Sequence, residues 1–598
     1  MASKVDLIVA RDILDPNFDG YKLSLEPLPV YSTQLNTGVD FAKLNEKQFS
    51  YLHSKLYGSY NHLIADPWHP DTVYFVDTDW SVRRVTVKSE AKIDNGSVVY
   101  SIPDSANQRL VPGRFNVSIV FPSSHLAVLS DGTGNLILLS TDDRDSNTSW
   151  QLLYRKDVLG SETYFHISDS VYHTDNETHH IECLLIHIDD ISEDEDKYKT
   201  QFTPVINWIS LSSVDQKVWI LERSRCIEDA SPETKIKDIS GRLFDYAVLE
   251  KSGKAVFLAC DKVMKLTSDS VKPVITSTDD DDYEMVGATS KEPRYTWSET
   301  EEDVTVLFTV PVGISKADIY FTLTYDHIEF GIKNSSVLLN GDLCCQVDVE
   351  ASTWTIQGQR LELTLGKTES KTWSVVVNGD TSGEKTFDPQ QIEAIHQRLE
   401  ALTSDQQNPC PDREETPYNA QELEDCDVDI GMMLLRIDGE THHTTHQINL
   451  SEQWLFSARL DSNKPPSICL RHDVDGLLWQ PDDNVTAGKA PWKHIVSFNA
   501  LGYVQASKQQ KKYSSCSPNC LFSVICDCSK HIYVYHRHSP INSPLRNRKT
   551  GKQVNSIAKQ QVVSLDTADQ ILGLHTTNDK IFVITETSLY LIRIRNEI

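Results

Sequence analysis

Pairs of β-rich runs joined by short turns recur along this chain and constrain its fold more than any other feature. One pair spans 71–77 and 81–87. Another spans 125–140, where the turn Asp131-Gly-Thr-Gly134 supplies the positive φ angles of a tight hairpin. The same pattern returns at 208–221, 246–259, 521–535 and 571–594. Hairpins spaced by roughly 40–55 residues are typical of β-propeller blades, which stack radially because one blade cannot bury both of its faces alone.

The hairpins lie at both ends of the chain, so we predict an all-β fold built around a discontinuous, degenerate β-propeller. It is degenerate because the Trp-Asp dipeptide of the best-known propeller repeat is absent from the sequence. Residues 1–273 and 428–598 would form its two parts, and their combined length suffices for about seven blades. A set of β-sandwiches is the alternative interpretation.

Three segments separate the two parts of the predicted propeller. Residues 274–292 are acidic and turn-rich, with the run Asp279–Asp282, and predict a solvated linker. Residues 293–378 form a β-rich unit. Residues 379–427 combine a helix at 388–402, predicted from apolar residues at helical spacing, with a Pro-rich and acidic linker.

Charge and cysteine content restrict the classes of partner. The 598 residues include 57 Lys and Arg against 86 Asp and Glu, a formal net charge of −29, which disfavours non-specific binding to nucleic acid or anionic lipid. The N-terminus has no signal-peptide core, no apolar run is long enough to cross a membrane, and the 12 Cys show no disulfide-scaffold spacing. We therefore expect a cytoplasmic protein with reduced thiols, and the sequence leaves its access to the nucleus open.

The most specific pattern in the chain lies between 295 and 377. Apolar and polar residues alternate there, which predicts an antiparallel sandwich of seven or eight strands. The residues that mark the pattern are Tyr295, Trp297, Thr300, Asp303, Pro311, Gly341, Trp354, Lys367 and Trp373. This arrangement resembles the CS domain, the p23-like fold of NudC proteins and other Hsp90 co-chaperones. One departure is Glu299, where the family usually has Gln, and we expect its side chain to be exposed.

The resemblance to the NudC family continues at 14–29, 469–481 and 498–508, and so covers nearly the whole chain. It implies that the marked residues have structural or binding roles, without catalysis or a cofactor. It also implies an adaptor or co-chaperone that binds client proteins, together with Hsp90. The alternative is a regulatory subunit that stably binds a DEAH-type RNA helicase or a ribonucleoprotein. We expect a monomer with protein partners and no direct contact with nucleic acid or membrane.

Candidate catalytic and metal-binding residues favour structural roles. No nucleophile elbow, zinc-protease helix, kinase signature or dinucleotide loop is present, and Gly366-Lys-Thr368 lacks the upstream glycine of a phosphate-binding loop. Cys516, Cys520, Cys526 and Cys528 would bind zinc only as paired knuckles, but the last two lie in a strand pattern, which favours buried thiols. His472-Asp-Val-Asp475 predicts a turn, and 442–446 predicts exposed strand-edge histidines. We predict no catalytic, cofactor or metal site.

Two basic clusters are candidate docking loops for an acidic protein partner. The first contains Lys508, Lys511 and Lys512, and the second contains Arg546, Arg548, Lys549 and Lys552. RNA binding has weaker support because no aromatic stacking residues are interleaved with these side chains. Solvated loops between blades are the alternative interpretation.

Overall fold

The structure, a computed structural model, describes residues 3–190, 202–229, 244–274, 295–385 and 432–594, with internal gaps of five residues or fewer. The predicted helix at 388–402 and most of both predicted linkers lie outside the described residues. The chain divides into two compact units, one formed by Met1–Asp279 with Ile430–Ile598 and the other by Asp280–Asp429. Among the described helices, none combines the length and apolarity needed to cross a bilayer.

The strands are short and cover most of the described chain. Before the second unit they are β1 (Ser3–Lys4), β2 (Tyr21–Leu23), β3 (Val30–Gln34), β4 (Ile64–Ala65), β5 (Thr72–Val76), β6 (Ser81–Thr86), β7 (Ser97–Ser101), β8 (Ser118–Ser123), β9 (Leu126–Ser130), β10 (Asn135–Ser140), β11 (Gln151–Asp157), β12 (His166–Asp175), β13 (Thr178–Asp190), β14 (Phe202–Ser213), β15 (Ile220–Asp229), β16 (Tyr246–Leu249), β17 (Ala255–Cys260) and β18 (Met264–Asp269). The second unit contains β19 (Tyr295–Glu299), β20 (Asp303–Thr309), β21 (Ile319–Leu323), β22 (His327–Ile332), β23 (Val337–Asp342), β24 (Val347–Gln357), β25 (Arg360–Lys367) and β26 (Gly383–Lys385).

The chain then returns to the first unit. The remaining strands are β27 (Met432–Asp438), β28 (Thr444–Ser451), β29 (Trp454–Ala458), β30 (Ser467–His472), β31 (Asp475–Pro481), β32 (Trp492–Phe498), β33 (Lys511–Cys516), β34 (Phe522–Asp527), β35 (His531–His536), β36 (Ser539–Arg546), β37 (Gln553–Ser564), β38 (Ile571–Thr576), β39 (Lys580–Thr585) and β40 (Ser588–Arg593). The described α-helices are α1 (Tyr51–Gly58) and α2 (Leu501–Ala506), and 3-10 turns occur at Arg11–Ile13, Gln108–Leu110 and Lys316–Asp318.

In its described residues, the first unit is a seven-bladed β-propeller. Given from the innermost strand outward, its sheets are blade 1 (β4-β5-β6-β7), blade 2 (β8-β9-β10-β11), blade 3 (β12-β13-β14-β15-β18), blade 4 (β16-β17-β27-β28-β1), blade 5 (β29-β30-β31-β32), blade 6 (β33-β34-β35-β37-β2, with β36 on β37) and blade 7 (β38-β39-β40-β3). Blade 4 is composite, since three of its strands (β1, β16 and β17) precede the second unit and two (β27 and β28) follow it. The predicted split propeller is therefore confirmed.

Seven apolar clusters lie between successive blades and close the ring. Each draws its buried side chains from two neighbouring blades. The closing cluster joins Phe75 and Val85 of blade 1 to Phe582 and Leu591 of blade 7. The second strands β5, β9, β17, β34 and β39 are buried at every position, because each is covered on both faces. Burial on both faces explains why these runs are apolar at nearly every position between their ends.

An aspartate at the end of the second strand fixes the turn to the third strand in three blades. Its carboxylate Oδ1 accepts the backbone N–H four residues later, from Ser81 to Asp77 at 2.9 Å, from Asn135 to Asp131 at 3.2 Å and from His531 to Asp527 at 2.9 Å. Side-chain carboxylates that bond nearby backbone donors are favourable turn formers. This hydrogen bond is the local signature of the repeat.

The N-terminal segment supplies outer strands to three blades. β1 pairs in parallel with β28 of blade 4, β2 pairs in parallel with β37 of blade 6, and β3 pairs antiparallel with β40 of blade 7. The pairing of β3 with β40 completes the last blade, so the two ends of the chain join to close the propeller.

Helix α1 identifies one face of the propeller. Ser50 caps it by accepting the N–H of His53. Its Lys55 Nζ lies 2.7 Å from Asp245 Oδ1, and Gln48 Nε2, just before the helix, donates to Gly113 O. Asp245 precedes β16 and Gly113 precedes β8. The helix therefore lies on the face where innermost strands begin, called here the α1 face; the opposite one is the far face.

The second unit is an eight-stranded β-sandwich. One sheet has the order β24-β25-β20-β19-β26, the other β21-β22-β23, and a single apolar cluster lies between them. The pair β19–β26 is parallel, so the sandwich is not entirely antiparallel as predicted. Because β26 ends at Lys385, the sheet also extends beyond the predicted boundary at 378. Three residues, Gly-Glu-Lys, are too few to show an alternating pattern.

Candidate protein-binding surfaces

The aromatic residues of the sandwich motif form its core. Tyr295 and Trp297 lie two residues apart on β19, so both point inward, and both are buried. Trp373, which follows β25, is buried as well. Trp354 on β24 is half-buried and packs against Phe330, with ring centroids 6.2 Å apart. These four residues therefore hold the two sheets together.

At the edge of this core, one carboxylate is bonded to two lysines on neighbouring strands. Glu299 Oε2 lies 2.6 Å from Lys367 Nζ, and Glu299 Oε1 lies 2.5 Å from Lys385 Nζ. The Trp373 N–H donates to Glu299 at 3.0 Å, and Lys385 Nζ lies 4.9 Å from the centroid of the Trp297 ring. The network joins β19, β25 and β26, so it fixes the short parallel strand that the sequence pattern did not reveal.

The prediction that Glu299 is exposed is wrong. Its side chain is only 12% exposed and that of Lys367 only 3%. Burial alone would raise the pKa of Glu299, but the hydrogen bonds from Lys367, Lys385 and the Trp373 N–H outweigh burial and lower it to about 2. A carboxylate is an acceptor for two ammonium groups at once, whereas a Gln side chain at this position would leave their charge uncompensated.

The remaining motif residues shape turns. Thr300 Oγ1 donates to Asp303 Oδ1 at 2.9 Å, while the Asp303 N–H donates back to Thr300 Oγ1 at 3.1 Å, closing the β19–β20 turn. Gly341 has a φ of +146°, and a Cβ there would lie 2.8 Å from Val377 Cγ1, so a side chain would clash with the segment that follows β25. Pro311 lies outside the described residues.

Comparison with known proteins agrees with this geometry. The CS domain family matches residues 293–367. The mouse NudC domain-containing protein 1 is 37% identical over 604 residues, with 100% of both chains covered, and the Xenopus tropicalis protein of that name is 35% identical with 99% of both covered. The chain belongs to the NudC domain-containing protein 1 family. A solved structure, the Cps50 (Swd1) β-propeller domain of Myceliophteria thermophila, covers 90% of this chain and 97% of its own at 7% identity, with a TM-score of 0.34.

Of the first basic cluster of this NudC-family chain, only Lys508 lies in a loop. Lys511 and Lys512 begin β33, the innermost strand of blade 6, and Lys508 follows α2 with its Nζ 4.5 Å from the Tyr533 ring centroid. Lys512 Nζ donates to Ile571 O at 2.8 Å. Burial lowers the pKa of both Lys511 and Lys512. Lys511 and Lys512 therefore lie on a strand, where Lys511 is exposed, whereas Lys512 is half-buried and hydrogen-bonded within the propeller.

Arg546, the described residue of the second basic cluster, lies apart from the first cluster. Arg546 ends β36 and pairs with Gln553 at the start of β37, whereas Lys511 pairs with Asp527 at the opposite end of the blade 6 sheet. Arg546 is exposed. Arg548, Lys549 and Lys552 lie outside the described residues. Arg546 therefore lies away from the first cluster, and both predicted clusters stay candidates for docking.

The cysteine and Gly-Lys-Thr predictions are confirmed. Cys516, Cys520 and Cys526 are buried and Cys528 is half-buried, all with free thiols. Cys516 and Cys520 belong to the cluster between blades 5 and 6, whereas Cys526 belongs to the cluster between blades 6 and 7. Gly366 and Lys367 end β25.

The histidine predictions are partly wrong. His442 is not exposed: it sits in a turn with a φ of +63°, and its Nε2 lies 2.8 Å from Asp269 Oδ2. His446 is buried on β28. His472 to Asp475 form the β30–β31 turn as predicted, with Asp475 Oδ1 accepting the Ala500 N–H. Within the described part of the chain, no group of three or more His, Cys, Asp or Glu side chains is placed to hold a metal ion.

Proposed function

We propose that this protein is a non-enzymatic adaptor or co-chaperone of the NudC type, which binds client proteins in the cytoplasm and works with Hsp90. The observation that carries the proposal is that the chain contains two units with separate apolar cores, a propeller and a CS-type sandwich. Membership of the NudC domain-containing protein 1 family supports it. Both folds offer broad surfaces to other proteins.

Two binding units on one chain strengthen the hold on a client. Once one unit is engaged, the second binds at an effective concentration set by the linker and not by bulk solution, and this concentration reaches about millimolar for short flexible linkers. In the sandwich Tyr295, Trp297 and Trp373 are buried and Trp354 is half-buried, so contact with a partner uses mainly the outward side chains. Glu362 and Thr364 on β25 are outward because they alternate with buried Leu361, Leu363 and Leu365.

Quantitative affinity purification from cells tests the proposal with three tagged proteins. These are the full chain, the chain with 280–429 replaced by a Gly/Ser linker, and 280–429 alone, which includes β26. The adaptor proposal expects partners to follow each unit and Hsp90 or its clients to depend on the sandwich. The adaptor proposal is contradicted if the full chain captures no partner above a tag-only control.

Inhibition of Hsp90 separates the co-chaperone from the alternative. Loss of client solubility on inhibition, matched by loss on depletion of this protein, supports the co-chaperone role. A stoichiometric complex with a DEAH-type RNA helicase or a ribonucleoprotein that persists during inhibition instead supports a stable regulatory subunit.

A further inference from the structure

Blade 3 exposes a group of apolar side chains on the far face. Val214, Val218 and Ile220, at the β14–β15 loop and the start of β15, are 77%, 67% and 58% exposed. With Thr178, Ser212 and Ser213 they line a groove of about 300 Å³. Apolar side chains gathered in one concavity mark an interaction site, whereas singly scattered ones need no explanation. The volume suits a few side chains and is small for a cofactor.

The groove adjoins an open strand edge. β15 starts at Ile220, but its outer neighbour β18 pairs with it only from Arg225 to Asp229. Among the described residues, no strand pairs with Ile220–Arg223 on that side. Unpaired strand edges are templates on which another segment adds as a strand, with backbone hydrogen bonds giving affinity and side-chain pockets giving specificity.

Carboxylates dominate the rim. Asp175, Glu177, Asp215 and Glu222 are exposed on the segments that form the groove. Of the cations there, Lys217 is exposed, whereas Arg223 is largely buried and paired with Asp269 and Glu440. His180 Nδ1 lies 3.3 Å from Glu222 Oε2, and His179 Nε2 lies 3.1 Å from the Gln216 amide. Complementary charge steers association and selects the partner, so this rim favours a basic segment and repels an acidic one.

We propose that this blade 3 groove binds an extended segment of a partner protein in which apolar side chains alternate with Lys or Arg. The segment adds as a strand beside Ile220–Arg223, its apolar side chains contact Val214, Val218 and Ile220, and its cations face the carboxylates of the rim. The proposal rests on the adaptor function proposed above and assigns it one surface and one partner chemistry.

Synthetic peptides and the full chain test the proposal by fluorescence anisotropy. The probes are an alternating Lys-Val peptide, an alternating Glu-Val peptide of equal length, and the Lys-Val peptide with alternate backbone nitrogens methylated to remove the donors that strand addition needs. We expect the first to bind and the other two to bind at least about tenfold more weakly, equivalent to roughly 1.4 kcal/mol. Binding of the Lys-Val peptide should weaken as salt rises.

Exposed positions allow variants that leave the fold intact. The combined variant Val214→Ser, Val218→Ser and Ile220→Thr should raise the Kd of the Lys-Val peptide at least about tenfold. The variant Asp175→Asn, Glu177→Gln and Glu222→Gln should raise it and flatten its salt dependence, while Asp215 is kept because it caps the loop through the Lys217 and Val218 N–H groups. Leu152→Ser, at a half-exposed site on β11, is the matched control and should change nothing.

The proposal is overturned if the Lys-Val peptide shows no saturable binding up to about 1 mM. The proposal is equally overturned if the groove variant binds the Lys-Val peptide with the Kd of the parent chain. The same holds if the Glu-Val or the methylated peptide binds as tightly as the Lys-Val peptide. Unchanged thermal unfolding of each variant confirms that the comparison is made on folded protein. Failure of the adaptor function is a distinct result, since it appears as the capture of no cellular partner and does not involve these peptides.

Discussion

The second strands of the propeller and the strands of the sandwich bury their side chains in different ways. On β9 all five residues are buried, with Val128 facing blade 3 and Leu129 facing blade 1. On β25 buried leucines alternate with half-exposed polar residues such as Thr364. A fully buried second strand of the propeller thus has no side that is free for a partner, whereas β25 of the sandwich keeps one. Partner contacts on the propeller are therefore confined to loops, outer edges and strand ends.

Breaking a buried ion pair of the propeller should cause the largest loss of stability, and this loss should be confined to the propeller. Arg144 and Asp66 are fully buried, with Nε to Oδ2 at 2.7 Å, and Asp66→Ala leaves the guanidinium without its counter-charge. We expect a loss of about 3–5 kcal/mol. Urea unfolding followed by hydrogen exchange of peptides from each unit measures it. Unchanged protection of the propeller peptides would contradict the expectation.

Consecutive substitutions on one strand test the two burial patterns directly. Leu129→Ala and Val128→Ala should both destabilise the propeller, the leucine by about 2–5 kcal/mol and the smaller valine by less, because each leaves a cavity on one of the two covered faces. In the sandwich, Leu363→Ala should cost a similar amount, and Thr364→Ala should stay within about 0.5 kcal/mol. Denaturant midpoints from the same exchange experiment compare them. Equal losses at Leu363 and Thr364 would refute the one-sided burial of β25.

Acid should weaken the sandwich through Glu299. Its pKa is about 2 in the folded protein against an ordinary value of 4.5, so its contribution is fully present above about pH 4.5 and is lost as pH falls toward 2. The contribution amounts to at most about 3 kcal/mol. Glu299→Gln should reduce stability at pH 7 and reduce the acid sensitivity of the sandwich peptides. An unchanged pH profile in this variant would show that the lysine network does not stabilise the unit.

An exposed ion pair should have the smallest effect. Arg360 and Glu362 lie 3.2 Å apart on β25 with side chains 65% and 37% exposed. Arg360→Ala should change sandwich stability by less than about 0.5 kcal/mol, since solvent and salt screen such pairs. Circular dichroism of the urea transition gives the comparison, and a loss above 1 kcal/mol would show that this outward face is supported more strongly than its exposure indicates.

Much of the architecture could be predicted because each hairpin of the repeat shows a local pattern of apolar and turn residues in the sequence. The runs around Val73 to Val76 and Ile581 to Ile584 are apolar at every position, and the turn after Asp131 needs glycine. Helix α1 shows no such pattern in the sequence. It has eight residues without an apolar stripe, and it is held by contacts from Lys55 to Asp245 and from Leu52 to the cluster between blades 3 and 4. Contacts between residues this far apart do not appear in a local pattern.

The site residues also divide into those that a local sequence pattern reveals and those that it does not. Tyr295, Trp297 and Trp373 could be recognised as a motif, but their burial shows that the motif reports the fold more than the binding surface. The sequence predicts an exposed Glu299 because its partner Lys385 lies on β26, a strand too short to show an alternating pattern. No motif marks Val214, Val218 and Ile220, since a groove at the end of a blade depends on loop geometry. Exposed apolar residues after a long strand were the one available signal.

The pairing of β1, β2 and β3 with strands near the opposite end of the chain has a consequence during protein synthesis. β1, β2 and β3 leave the ribosome before the second unit is made, and their partners β28, β37 and β40 all follow that unit. Such non-local pairing slows folding. Until those partners are made, the nascent polypeptide carries unpaired edge segments beside unfinished blades, and pairing with a neighbouring nascent chain is the competing reaction. A premature stop before residue 553 would leave β2 and β3 permanently without their partners.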